Sequence, residues 1–254
     1  MRGAVPDRAR RPDVKLVLLG DMNVGKTSLL HRYMDKRFYH TISTVGGAFY
    51  LKQWGPYNIS IWDTAGREQF HGLGSMYCRG ATAVILTYDV TNRQSLAELE
   101  ERFLSLTDTA NDDCIYAVVG NKTDLTEPIA VRENYEVGCP IHTPNYACQL
   151  NSSASPTSCS PVAEREVQKE DAVALYQRIL RHKAVDEHLS PPAERMCFET
   201  SAKTGANVDA LFETLFDMVL PSILRKRSES KASSTIDLED YGPVTSKPIK
   251  GGCC

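Results

Sequence analysis

Four short runs of residues have types and spacings suited to phosphate and purine chemistry. The most specific is GDMNVGKT at 20–27, a Gly-x-x-x-x-Gly-Lys-Thr sequence directly after an apolar run and directly before a helical one. A turn of this kind, with the first N–H groups of the following helix, aims backbone donors at phosphate oxygens. Lys26 supplies positive charge for the β- and γ-phosphates, and Thr27 a hydroxyl oxygen for magnesium. In WDTAG at 62–66, Asp63 offers a carboxylate to a magnesium-bound water and Gly66 lets backbone approach a γ-phosphate. In NKTD at 121–124, Asp124 can accept hydrogen bonds from guanine N1 and the exocyclic amine, a pattern that selects guanine over adenine. In Ser201-Ala202-Lys203 the Ala202 N–H can meet guanine O6, while the aliphatic stems of Lys122 and Lys203 cover the base faces.

These runs need a frame that brings four distant stretches together. VKLVLLG at 14–20 is short, apolar and β-branched, which predicts a strand, and the following GKTSLLHRYMDKRF sets Leu29, Leu30 and Tyr33 at helical spacing. NISIWDTAG at 58–66 supplies a second strand. ATAVILTYDV at 81–90 is so continuously apolar that both faces of its sheet must be covered. SLAELEERFLSL at 95–106 reads as a helix, IYAVVG at 115–120 as a strand, DAVALYQRIL at 171–180 as a helix and MCFET at 196–200 as a late strand. NVDALFETLFDMVLPSIL at 207–224 puts Val208, Leu211, Leu215, Phe216 and Val219 on one apolar face, with Pro221 expected to bend or end the helix. The alternation predicts one mostly parallel α/β sheet with helices on both faces and a ligand site beyond the carboxyl ends of its strands.

The remaining segments lie outside this frame. Residues 1–13 carry four arginines among Gly and Pro and read as a flexible basic arm. Residues 128–161 hold five Pro, five Ser and three Cys without helical or strand periodicity, so the stretch at about 128–167 reads as an insertion outside the core. Cys139, His142, Cys148 and Cys159 match no paired-cysteine zinc spacing, which leaves ordinary free thiols as the favoured reading. With 29 basic and 32 acidic side chains the formal charge is -3, which gives no support to an electrostatic grip on nucleic acid. Eight cysteines could suggest a disulfide scaffold, but the start MRGAVPDRARRPD has no apolar signal segment, and no apolar run approaches the roughly 20 residues of a membrane span. An intracellular, reducing setting is expected, with any membrane contact made through an anchor.

GDMNVGKT, STVGGAF at 43–49, WDTAGREQF at 62–70, MYCRGATA at 76–83, LTYDVTN at 86–92, NKTD and ETSAK at 199–203 occur in an order that resembles the Rab family of Ras-like small GTPases. The resemblance covers about 13–226 apart from the insertion. It implies a P-loop small-GTPase fold with a six-stranded, mostly parallel sheet, spanning 14–226, followed by a flexible tail at 227–254. It assigns Gly20, Asp21, Met22, Asn23, Val24, Gly25, Lys26, Thr27 and Ser28 to the phosphates and Asn121, Lys122, Asp124, Ser201, Ala202 and Lys203 to the base. It adds Thr44 to Thr27 and Asp63 around Mg2+, Gly66 as the sensor of the γ-phosphate, and Phe38 at one edge of guanine, although the spacing from Phe38 to Thr44 is one residue shorter than in most relatives.

The implied function is a switch between GTP and GDP states in vesicle trafficking, with an effector surface formed by the regions around 37–49 and 63–78. Implied partners are exchange factors, activating proteins, effectors, the Rab escort and prenylation machinery and GDP-dissociation inhibitor, with a monomeric core and no nucleic acid. Two departures stand out. Met22 occupies a phosphate-loop position that is usually small, and Arg67 replaces the glutamine that orients hydrolytic water. Arginine has five donors and no acceptor, so it cannot align water as an amide does. Preserved GTP binding with slow hydrolysis is expected, with Gln69 more simply read as facing solvent or an effector than as a substitute. A nucleotide-stabilised scaffold with little turnover is the competing reading. The terminal Cys253 and Cys254 imply geranylgeranylation, two lipid chains sufficing for stable anchoring to the cytoplasmic face of endosomal, phagosomal or Golgi membranes, beside a cytosolic pool.

Overall fold

The structure is a computed structural model that describes residues 12–66, 71–126, 163–185 and 190–233. The chain divides into two units, Met1–Val219 and Leu220–Cys254. The first unit holds a six-stranded sheet in the order β2-β3-β1-β4-β5-β6. Its strands are β1 (Val14–Leu19), β2 (Gly47–Trp54), β3 (Tyr57–Thr64), β4 (Ala83–Asp89), β5 (Ile115–Asn121) and β6 (Cys197–Glu199). All neighbours pair in parallel except β2, which runs antiparallel to β3. The expected α/β sheet is therefore the one found.

Each strand forms where its side chains suit it. All seven residues of β4 are buried, as an apolar run covered on both faces requires. The edge strand β2 instead alternates between exposed and half-buried positions along GAFYLKQW. The sequence carries no clear strand signal here, because the outward residues include Phe49 and Leu51 and so mask the apolar and polar rhythm.

The helices are α1 (Lys26–Asp35), α2 (His71–Cys78), α3 (Arg93–Glu98), α4 (Lys169–His182), α5 (Ala193–Met196) and α6 (Val208–Ser233). α1 buries Leu29, Leu30 and Tyr33, the residues that its spacing singled out. α4 begins where the Gln168 N–H donates to the Asp171 carboxylate at 3.0 Å. One reading needs correction. The helix expected over 95–106 is α3 followed by a wider π-turn at Leu99–Phe103 and a tighter 3-10 turn at Ser105–Thr109. The changes in pitch leave Leu99, Phe103 and Thr107 all buried. Of the two outcomes expected at Pro221, an end is excluded, since the last helix runs on to Ser233. Proline removes a single N–H donor, and here the helical path continues past that loss.

Within the first unit, α6 is fastened at Glu213. One carboxylate oxygen accepts from the Tyr33 hydroxyl at 2.7 Å and the other from the Trp54 indole N–H at 2.7 Å, which ties α1, β2 and α6 together. Phe212 stacks on Tyr33 with ring centroids 4.2 Å apart.

The described end of the proposed insertion is bonded to the core at two places. Residues 127–162 lie outside the described residues, but the Ala163 N–H donates to Leu125 O at 2.9 Å. The Glu166 and Val167 N–H groups both donate to Val90 O, and Val167 is fully buried. Its return end, 163–167, is thus bonded to the core and does not lie outside it. The basic arm before residue 12, Arg67, Gln69, the Cys139, His142, Cys148 and Cys159 group, and Cys253 and Cys254 also fall outside the described residues.

Candidate functional site

A cleft open to solvent runs across the carboxyl ends of the parallel strands. Met22, Asn23, Gly25, Lys26, Thr27 and Ser28 line it after β1, and Phe38 and Thr44 line it ahead of β2. Gly66 follows β3, Asn121, Lys122 and Asp124 stand at the end of β5, and Ala202 and Lys203 follow β6. Gly20, Asp21, Val24, Asp63 and Ser201 are each hydrogen-bonded to a lining residue. β1 lies between β3 and β4, so the chain leaves the sheet in two directions there, which opens a crevice beyond the strand ends.

The turn after β1 is shaped for anions. Gly25 caps α1 in the left-handed region at φ 95°, and no side chain caps the helix, so its first N–H groups are left for a ligand. A Cβ on Gly25 would fall 2.4 Å from Asn121 Nδ2. Lys26 is 6% exposed, and its ammonium donates to Gly20 O at 2.7 Å and Asp21 O at 2.8 Å. Burial pushes its pKa down to about 8 against the pull of Asp63 and Asp21.

Three oxygen-bearing side chains converge beside Lys26. The Thr27 hydroxyl donates to Asp63 Oδ2 at 2.6 Å, the Thr44 hydroxyl donates to the same oxygen at 3.0 Å, and the two hydroxyls are 3.0 Å apart. Asp63 is fully buried, and its Oδ1 has no hydrogen-bond partner. Burial holds the carboxyl above its ordinary range, offset in part by Thr27, Lys26, Thr44 and His31. A buried carboxylate oxygen without a donor, beside two hydroxyls, is a hard-oxygen set that fits Mg2+.

Gly66 sits against the phosphate turn itself. A Cβ there would fall 2.3 Å from Met22 N and 2.4 Å from the Asp21 carbonyl carbon, so only glycine allows this approach. Met22 is half exposed at the cleft.

At the other end the polar groups are held by one another. The Ser201 hydroxyl donates to Asp124 Oδ1 at 2.6 Å. Asn121 donates through Nδ2 to Val24 O at 2.9 Å and accepts the Ala202 N–H at 3.1 Å, thereby joining the phosphate turn to the Ser-Ala-Lys loop.

Two residues of the site went unnoticed in the sequence. Asp89 pairs through Oδ2 with Lys122 Nζ at 2.6 Å, while its Oδ1 accepts from the Thr91 N–H and hydroxyl. The Asp-x-Thr spacing in LTYDVTN was the available signal for that turn. Arg32, in the last turn of α1, bonds to the carbonyls of Ala202 and Lys203, 170 and 171 residues away, for which no local pattern exists. Leu125, Thr41, Ile42 and Ser43 also line the cleft.

A phosphate turn, a hard-oxygen corner and a base-end carboxylate, set on strand ends in this order, define a small P-loop GTPase. Compared with protein-family models, the chain matches the Ras family over residues 15–221, and it belongs to that family as a Rab-type member. It is 62% identical to Ras-related protein Rab-20 of Homo sapiens over 247 residues, covering 96% of this chain and 99% of the relative. It is 59% identical to Ras-related protein Rab-20 of Mus musculus over 246 residues, with coverage of 96% and 99%. To the putative ras-related protein Rab-5B of Dictyostelium discoideum it is 33% identical over 202 residues, covering 78% of this chain and 71% of that protein. The chain is thus a GTP-hydrolysing, nucleotide-dependent switch of vesicle trafficking, in a family that binds Mg2+ and GTP or GDP and works with exchange factors, activating proteins, effectors and escort proteins.

Proposed function

We propose that the cleft holds GTP or GDP with Mg2+, the phosphates on the turn at 20–28 and the guanine between Lys122 and Lys203. The observation that carries this reading is the convergence on one cleft of Lys26, Thr27 and Thr44 at one end and Asp124 and Ala202 at the other, with Asp63 behind the phosphate end. The metal, held by Thr27, Thr44 and Asp63, would neutralise phosphate charge. Asp124, kept in place by Ser201, selects guanine. Phe38 covers a base edge and Gly66 reports the γ-phosphate. Extracting and chromatographing the nucleotide that copurifies with the protein tests this: close to one guanine nucleotide per chain is expected, and adenine nucleotide or none overturns it.

Hydrolysis in this chain is slow, because Met22 sets a bulky side chain at the cleft where a small one is usual and Arg67 has no acceptor for water. The GTPase domain spans 14–226, carries the 128–167 insertion and ends in a tail whose Cys253 and Cys254 are geranylgeranylated. No helix among the described residues is long and apolar enough to cross a membrane, and the two lipids anchor the chain to the cytoplasmic face of endosomal, phagosomal or Golgi membranes. Effectors dock on the surface that bears Phe49, Trp62 and Tyr77, whose rings stand in a row 5.0 and 5.5 Å apart, with Phe49 half exposed.

Met22 at the cleft also favours a second reading, a scaffold that keeps its nucleotide and barely turns over. Equal effector binding in the GDP and GTP states supports the scaffold; state-dependent binding supports the switch.

A further inference from the structure

The loop that carries Ala202 is neither strand nor helix, so its backbone groups must find partners one at a time. The Ser201 N–H donates to Ala206 O at 3.1 Å and the Gly205 N–H to Ser201 O at 2.8 Å, while Thr200 O accepts from the Thr123 N–H and hydroxyl, each at 3.2 Å. The next two carbonyls are taken up by Arg32. Its Nε donates to Ala202 O at 2.7 Å, Nη2 donates to Lys203 O, and Nη1 reaches Lys36 O at 3.1 Å, just past the end of α1. The Arg32 stem lies against Gly205, where a Cβ would come within 3.5 Å of Cδ.

One guanidinium thus fastens two successive peptides of the base loop to the C-terminal turn of α1. The N-terminal turn of the same helix bears Lys26 and Thr27, about 9 Å away along the helix axis. Only a planar fork with five donors serves three carbonyls from one position; a lysine ammonium in its place lacks that geometry.

We propose that Arg32 is a positioning residue for the guanine base. It holds the Ser201-Ala202-Lys203 loop so that the Ala202 N–H meets guanine O6, and it ties that loop to the helix that carries the phosphates. The proposal rests on the reading of the cleft as a guanine-nucleotide site.

The test measures dissociation of GDP and of 6-thio-GDP, in which a weaker sulfur acceptor replaces O6, from the full-length protein and from R32K and R32Q. In the unaltered protein 6-thio-GDP leaves faster than GDP. R32K should release GDP about tenfold faster, as loss of charge-assisted bonds entails. The ratio between the two nucleotides should shrink toward one, because the N–H is no longer held on position 6. R32Q, which lacks both the charge and the fork, should release GDP at least as fast as R32K. A GDP rate unchanged in both variants overturns the proposal. So does a faster rate with an unchanged ratio, which is what loosening α1 as a whole would produce. An unaltered protein that retains no guanine nucleotide instead sinks the reading of the cleft on which the proposal stands.

Discussion

Met22 and Arg67 set the chemistry of this chain apart at two positions. A misplacement of about 1 Å beside a reacting phosphate costs on the order of a hundredfold in rate, and arginine cannot orient water through an acceptor it lacks. Single-turnover hydrolysis of bound GTP should therefore run below the Ras-like intrinsic rate of roughly 3 × 10⁻⁴ per second. R67Q should accelerate it, and M22G combined with R67Q should accelerate it further; a Ras-like rate in the unaltered protein would refute the slow-enzyme reading. Lys26 makes a different prediction. Burial holds its pKa near 8 without nucleotide, and bound phosphates favour the charged form. Binding above pH 8 must then take up a proton, so GDP affinity falls as pH rises from about 8 toward 10.5, by up to about tenfold per unit. Titration calorimetry in buffers of different ionisation heat measures that proton, and a pH-independent affinity across this range would contradict the assignment. Asp89 can be tested through Lys122. D89N keeps an oxygen for Thr91 but loses the charge beside Lys122 Nζ, and should speed GDP release about threefold to tenfold. In a K122A background D89N should change nothing; an undiminished effect there would mean that Asp89 serves only its own turn. The residues that carry chemistry were readable because each lies in a run of eight residues or fewer. Asp89 and Arg32 were not, because what they do depends on partners 33 and 170 residues away.

At the scale of elements, strands were read more surely than helices. β1, β3, β4 and β5 are apolar runs bounded by polar turns, a signal complete within each strand. The stretch at 95–106 reads as one helix in sequence since its apolar spacing fits several pitches, and burial of Leu99 and Phe103 goes with the wider turn. β2 was missed because an edge strand with apolar residues on its open face has no clean alternation. That strand is fixed at its far end by Trp54 on Glu213, which gives a prediction for the element. E213A removes the acceptor of two hydrogen bonds and leaves the Tyr33 hydroxyl without its acceptor. The loss should be about 2 kcal/mol, or a fall of about 4–8 °C in Tm at saturating GDP. Tryptophan fluorescence should shift as well, since Trp54 is one of two tryptophans. An unchanged Tm would show that the stacking of Phe212 on Tyr33 holds the helix without the carboxylate.

Across the whole molecule, the switch and its proposed membrane attachment are separate in sequence: the cleft is complete by Lys203, and the paired cysteines stand at 253 and 254. Replacing both cysteines with serine should abolish detergent partitioning after coexpression with the prenylation machinery, while GDP release stays within twofold; retained partitioning would defeat the lipid anchor. The root of the insertion allows a separate use. Leu125 and Ala163 meet across a backbone hydrogen bond, so the described chain departs and resumes at one place, and Leu125 there lines the cleft. A reporter domain whose termini lie close together, spliced between Thr126 and Ala163, would keep the ends that this bond joins and would report on the switch from beside its cleft.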